Sequence, residues 1–133
     1  MALSTHFALP YISYAFGTIF LGFGINAIVR PAHGLTFFEM SPPKDPASAK
    51  VVNALMVVYG VRDIFMGLAI YAATYYGARE VLGCILISVF LVAAVDGWVC
   101  LHFVGHGQNN HWSYAPMLAA VGAVLLGFAD HSS

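Results

Sequence analysis

The 133-residue sequence predicts an all-α membrane protein, a bundle of four transmembrane helices with both termini on the same side. Composition is the first reason: the chain is 60% hydrophobic and 8% charged, where soluble domains sit at about 45–50% and 25%. The second is that the apolar residues gather into four runs, and crossing a hydrocarbon core of about 30 Å takes about 20 of them. The third is that the breaks between runs are rich in Gly, Pro and amide residues, which end helices. The length suits one domain, 1–133, with helices at about 9–29, 47–76, 80–104 and 113–128. With a formal net charge of −1 and scattered Lys and Arg, the chain lacks the basic footprint of a nucleic-acid binder. Its expected surroundings are a lipid bilayer.

The N-terminal stretch MALSTHFALPYISYAF lacks a basic n-region, and its apolar run continues through Val29. It therefore reads as a retained first span, Leu9–Val29, rather than a signal peptide. Pro10 is tolerable in a first turn, and Gly17, Gly22 and Gly24 allow a neighbour to approach closely. Asn26, Arg30 and His33 would share a face if the helix continued, but Pro31 is expected to end it. The connection that follows, PAHGLTFFEMSPPKDPAS, carries Pro42, Pro43 and Pro46, so no regular helix spans it. GLTFFEM can lie as a short amphipathic piece at the headgroups. A loop this long is either a plain linker or a lid over an entrance, and Glu39 sits within it.

The second span, Ala47–Tyr76, contains the run VVNALMVVYGVRDIFMGLAIYAA, with Arg62 and Asp63 near its middle. At 1.5 Å per residue Arg62 lies roughly 16 Å from Val51, close to mid-membrane. Ionisable groups at that depth cost about 2.5–3.5 kcal/mol on insertion scales, so they turn inward and find partners. Tyr59, four residues before Asp63, shares its face, whereas Arg62 is rotated about 100° away. At least one of the two charges must therefore look to another helix. Asn53, Gly60 and Gly67 recur every seven residues as a contact seam.

After the turn Gly77–Arg79, the third span, Glu80–Val104, carries Asp96 about 12 Å from its Val104 end. Cys84 and Cys100 fall in this one helix about 24 Å apart, beyond disulfide reach. The connection GHGQNNHW leads to a short, uncharged fourth span, Ser113–Phe128. Tyr11, Tyr14, Tyr71, Tyr75 and Tyr76 mark one membrane interface. Arg30, Lys44 and Lys50 flank the first connection against Arg79 alone on the terminal side, which favours a cytoplasmic first loop.

The polar residues crowd into the helix halves nearest the first and third connections, which describes a polar cavity cut partway into the bilayer. The catalytic candidates are Asp63, Asp96 and Arg62, assisted by Tyr59 or His102. Asn26, Asn53, Glu39 and Arg30 are substrate-binding candidates. The other role for Arg62 and Asp96 is a structural ion pair holding two helices together. His102, His106 and His111 invite a metal reading, since the first two are four residues apart. Gly105 and Gly107 fray the helix there, no cysteine or carboxylate completes a ligand set, and no metal is expected. His6 and His131 read as solvated terminal residues.

Through GINAIVRPAHGLTFF, KVVNALMVVYGVRDIFMGLAIY and AAVDGWVC, over roughly Gly17 to Cys100, the chain resembles a family of small four-helix membrane proteins, frequent in filamentous fungi and classed only as a domain of unknown function. The resemblance carries over no catalytic residue. Relatives that neighbour fungal secondary-metabolite genes imply a lipophilic metabolite as partner and an endomembrane, such as the endoplasmic reticulum, as location.

The first functional expectation is a membrane-embedded enzyme of isomerase or cyclase type, acting on a lipophilic small molecule by acid–base chemistry. It needs no cofactor, and no cofactor motif is visible. One carboxylate would handle the proton and the other would stay ionised beside Arg62. The alternative is a binding or transport module, similar to small four-helix multidrug exporters in size and helix count only. A third reading, a structural partner for another membrane protein, would use the Gly60 and Gly67 seam as its contact surface; a homo-oligomer is a further expected partner.

Overall fold

In the computed structural model, which describes residues 2–130, the apolar runs fold as helices and no strand forms among the described residues. The elements are α1 (Ala8–Val29), α2 (Pro31–Thr36), α3 (Pro46–Tyr75), α4 (Arg79–Val99), the single turn α5 (Asn109–Trp112) and α6 (Ala115–Leu125). The end of α4 widens into a π-helical stretch at Cys100–Val104. Three helices, α1, α3 and α4 with its extension, are long and apolar enough to cross a membrane. His131 lies outside the described residues.

The helix limits have local causes. Pro31 closes α1 and occupies the first turn of α2, where its missing N–H does no harm. Asp45 caps α3 by accepting from the Ser48 backbone N–H at 2.8 Å, with Pro46 in the first turn. Those bonds from Ser48 hold the Asp45 carboxyl below its ordinary range. The fourth run departs from expectation. Its α6 is 11 residues long, a rise of about 16 Å, because the chain leaves the helix after Leu125 and turns at Gly127 with φ of 85°.

Helix α1 packs antiparallel on α3 through facing glycines. A Cβ on Gly60 would lie 2.6 Å from the Gly24 carbonyl oxygen, and one on Gly67 would lie 2.7 Å from that of Gly17. Backbones this close give the dispersion contacts that drive association in lipid, where water offers no hydrophobic term. Gly60 and Gly67 thus form the expected helix contact seam, but with α1 of the same chain, which leaves it covered to a separate partner, and Asn53, in the same seven-residue series, is exposed. Helices α4 and α6 meet in the same way through Gly83 and Gly122. The two pairs close on a shared core of Phe16 and Phe20 (α1), Met66 and Ile70 (α3), Leu86 and Val89 (α4) and Leu118 (α6).

At one end of the bundle, Ser4 donates to the Asp130 carboxylate through its N–H at 3.0 Å and through its hydroxyl, and Arg79 Nη1 donates to Ser4 Oγ at 2.6 Å. Both ends of the described chain therefore meet beside the α3–α4 turn. Tyr14 and Tyr71 pack edge to face there.

Candidate functional site

Because α3 and α4 run antiparallel from a tight turn at Gly77, Arg62 and Asp96 reach the same height. Arg62 Nη1 donates to Asp96 Oδ1 at 3.1 Å and Nη2 donates to Asp96 Oδ2 at 2.8 Å, a two-pronged fork that fits a carboxylate. Nε and Nη2 also donate to Asp63 Oδ1, each at 3.2 Å. The long Arg62 side chain thus satisfies both carboxylates at once, bending back along its own helix to Asp63 while reaching across to Asp96. Its guanidinium carbon stands 4.4 Å from the centroid of the Tyr59 ring, a cation–π contact. Side-chain exposure is 3% for Asp63 and 11% for Asp96, against 36% for Arg62. Formal charges in the cluster are two negative to one positive.

Asp63 and Asp96 form the floor of a cavity of about 20 Å³ whose walls include Tyr59, His111, Tyr114 and Phe37. That volume admits a water molecule but no organic substrate. The cavity is covered by two clasped segments. From the third connection, Asn110 Nδ2 donates to the Phe37 carbonyl at 3.2 Å and to Glu39 Oε1 at 3.1 Å, and His111 Nε2 pairs with the same Phe37 carbonyl at 3.1 Å. Phe38 packs between Tyr59, edge to face, and His111, tilted, with ring centroids 5.3 and 4.8 Å away. Glu39 holds φ of 56°, the left-handed region that non-glycine residues occupy at a cost. Gly107, at φ 90°, sits against the Glu39 side chain where any Cβ would collide.

One sequence feature places this cover. Gly97, directly after Asp96, leaves α4 bare, so the Trp112 indole lies on the helix there and its Nε1 donates to the Ala94 carbonyl at 3.1 Å. Docking Trp112 carries the neighbouring His111 and Tyr114 over Asp96. Burial of His111 pushes its imidazole below the ordinary histidine range, with Asp96 and the Phe37 carbonyl opposing that shift.

Of the residues singled out from sequence, Arg62, Asp63, Asp96 and Tyr59 come together, and Glu39 belongs to the cover. Asn26 pairs through Oδ1 with His33 Nδ1 at 3.0 Å in the α1–α2 corner, away from the cavity walls. Three placements are corrected. Arg30 is exposed, because Pro31 starts a new helix and redirects the chain. Asn53 is exposed one turn beyond the buried Met56. His102 is exposed and stacked on Trp98 at 4.8 Å, off the cavity, since six residues past Asp96 is about 240° around a helix. His111 and Tyr114 take its place. No local pattern marked them: they return through Trp112, fifteen residues after Gly97, docking on the helix surface that Gly97 leaves bare. No group of three His, Cys, Asp or Glu residues converges among the described residues.

Compared with known proteins, residues 17–125 match the family described as Domain of unknown function (DUF4267), which extends the likeness through the histidine connection and α6. No curated protein and no solved structure matches the chain.

Proposed function

We propose, starting from the fact that this chain belongs to the DUF4267 family, that it is a membrane-embedded enzyme performing cofactor-independent acid–base chemistry, an isomerisation or cyclisation, on a lipophilic small molecule. One observation carries the reading: a guanidinium shared unequally by two carboxylates that line a cavity at membrane depth. Asp96 gives both oxygens to the Arg62 fork and is the fixed anion of the site. Asp63 gives only Oδ1, so its Oδ2 stands outside the fork and is the atom assigned to proton transfer. Two negative charges against one positive mean that a neutral cluster contains one exchangeable proton, which is what an acid–base site needs. Tyr59, His111 and Tyr114 line the same water-sized cavity, where one water would relay that proton to the substrate.

In the same reading the chain crosses the membrane four times, with α6 and its flanking residues, about Ser113–Phe128, as the last crossing. The pairing of Ser4 with Asp130 beside the α3–α4 turn supports termini on one side. The first connection then faces the cytoplasm of an endomembrane.

The test is the substitution Asp63→Asn, which keeps shape and removes proton transfer. General acid–base catalysis contributes about 10²–10⁴-fold, so the variant should fold with unchanged melting temperature and lose conversion of the host metabolite by that order. The readout is mass spectrometry of extracts from hosts carrying the wild type, the variant or no copy. Metabolites that change in amount or location but never in structure would replace the enzyme reading with binding or transport.

A further inference from the structure

Two of the openings at the ion cluster share Val92 as a wall and differ in size. Asp63 and Asp96 line the cavity of about 20 Å³. Arg62 instead lines a groove of about 470 Å³ between α3 and α4, walled by Phe65, Met66, Ala69, Ile85 and Val92. The groove exists because α3 packs chiefly on α1 and α4 chiefly on α6, leaving these two helices to diverge on one flank. Ser88, on its wall, donates its hydroxyl to the Cys84 carbonyl at 2.9 Å. Arg62 is therefore the strong polar group that the groove presents. A guanidinium has five N–H donors, and Arg62 directs four hydrogen bonds to Asp63 and Asp96. One N–H of Nη1 has no acceptor among the described residues.

We infer that this groove holds the hydrocarbon chain of a neutral, oxygen-bearing lipophile whose carbonyl or hydroxyl oxygen accepts a hydrogen bond from Arg62 Nη1. The inference rests on the acid–base reading and gives it a substrate class. Charge selects the head. An anionic head would bring its own charge to mid-membrane and compete with Asp63 and Asp96 for Arg62, and an ammonium would present donors to a donor. A plain alkane would leave the Nη1 donor unpaired in hydrocarbon, a penalty that one oxygen removes. Depth selects the source. Arg62 lies roughly 16 Å from Val51 along α3, so the head must sink to mid-membrane. The charged headgroup of a phospholipid does not go there, whereas a free long-chain ketone or alcohol does.

The experiment uses the full chain reconstituted in phosphatidylcholine vesicles and three photoreactive probes of equal chain length, each with a diazirine on its chain: a methyl ketone, an alkane and a fatty acid. After irradiation, labelled residues are located by mass spectrometry. The ketone is expected to label the Phe65–Ala69 and Ile85–Val92 segments about tenfold more than either other probe, the effect of one hydrogen bond from a charged donor. Ala69→Phe, which fills the groove without touching the cluster, should reduce ketone labelling to the alkane level. Equal labelling by ketone and alkane in the wild type overturns the inference, as does undiminished labelling of folded Ala69→Phe. The enzyme reading is judged separately. If labelling fails while Asp63→Asn still abolishes conversion, the groove assignment falls and the acid–base reading stands. If the ketone labels the groove but no variant alters a product, the groove stands and the acid–base reading falls.

Discussion

Removing Arg62 should damage the fold more than removing either carboxylate, although all three belong to one cluster. Breaking a buried ion pair costs about 3–5 kcal/mol when it strands an uncompensated charge. Asp96→Ala does not strand one: Arg62 loses its two bonds to Asp96 but keeps Nε and Nη2 on Asp63 Oδ1 at 3.2 Å. Two charge-assisted hydrogen bonds at roughly 1.5–3 kcal/mol each are lost, offset by several kcal/mol of desolvation that the missing carboxylate no longer suffers. A net loss of about 1–3 kcal/mol is expected. Arg62→Leu leaves Asp63 and Asp96, both buried, with no cation between them. Its expected cost is the full 3–5 kcal/mol or more. The triple variant Arg62→Leu, Asp63→Asn, Asp96→Asn should recover much of that loss, because no net charge remains to be solvated. Unfolding free energies in detergent micelles give the three numbers. Adding the double variant Arg62→Leu, Asp96→Ala completes a double-mutant cycle, in which a coupling above about 0.5 kcal/mol is expected. If Asp96→Ala proves as costly as Arg62→Leu, Asp63 is not compensating the guanidinium. If the triple variant is no better than Arg62→Leu, the cost is packing rather than charge.

Other consequences concern the seam and the cover. Gly60→Ala should destabilise by about 1–2 kcal/mol, since overpacking outweighs the roughly 1 kcal/mol of helix propensity gained. Gly22→Ala is the control: its Cβ would meet nothing within 4 Å, so unfolding experiments should find it neutral or slightly stabilising. His111 supplies a pH dependence. Its folded pKa lies below its unfolded one, so the unfolded state binds the proton first and stability is lost as pH falls below the unfolded value near 6.5. The protection of the Met40 and Asn110 amides, measured as exchange relative to the intrinsic rate at each pH, should therefore fall from pH 7.5 to pH 5.5, about one unit to either side of that value, and His111→Gln should flatten the response. Gly107→Ala, strained at φ 90° and in collision with Glu39, should open the cover. The same exchange measurement should find Met40 and Asn110 unprotected while α3 and α4 stay protected.

What could be read from sequence divides along a physical line. Arg62 and Asp96 were legible as partners because a charge in hydrocarbon must find its opposite, and periodicity plus depth left few positions at the right height. Tyr59 was legible because four residues on a helix is one turn. His102 shares the depth of the polar helix halves but not their direction, since six residues past Asp96 point elsewhere around the helix. His111 and Tyr114 lie beyond the π-helical end of α4 and two glycines at φ 90°. Their return depends on Trp112 finding the bare surface at Gly97, which is a tertiary event that no local pattern encodes. The fourth run was legible as apolar but not in length, since apolarity says where a chain prefers to sit and Gly127 says where the helix stops.

Those same two kinds of information bear on why the cluster persists at all. A helix clamp needs one anion for one cation, and Arg62 with Asp96 alone would supply it through the fork. Asp63 adds a second carboxylate in the same low-dielectric setting, at a desolvation cost that clamping does not require. Its side chain is the least exposed of the three, and it lines the cavity together with Tyr59, His111 and Tyr114. A purely structural cluster would be expected to tolerate Asp63→Leu with unchanged or improved stability and full biological effect. If Asp63→Leu gains stability and abolishes metabolite conversion, the surplus carboxylate is there for chemistry.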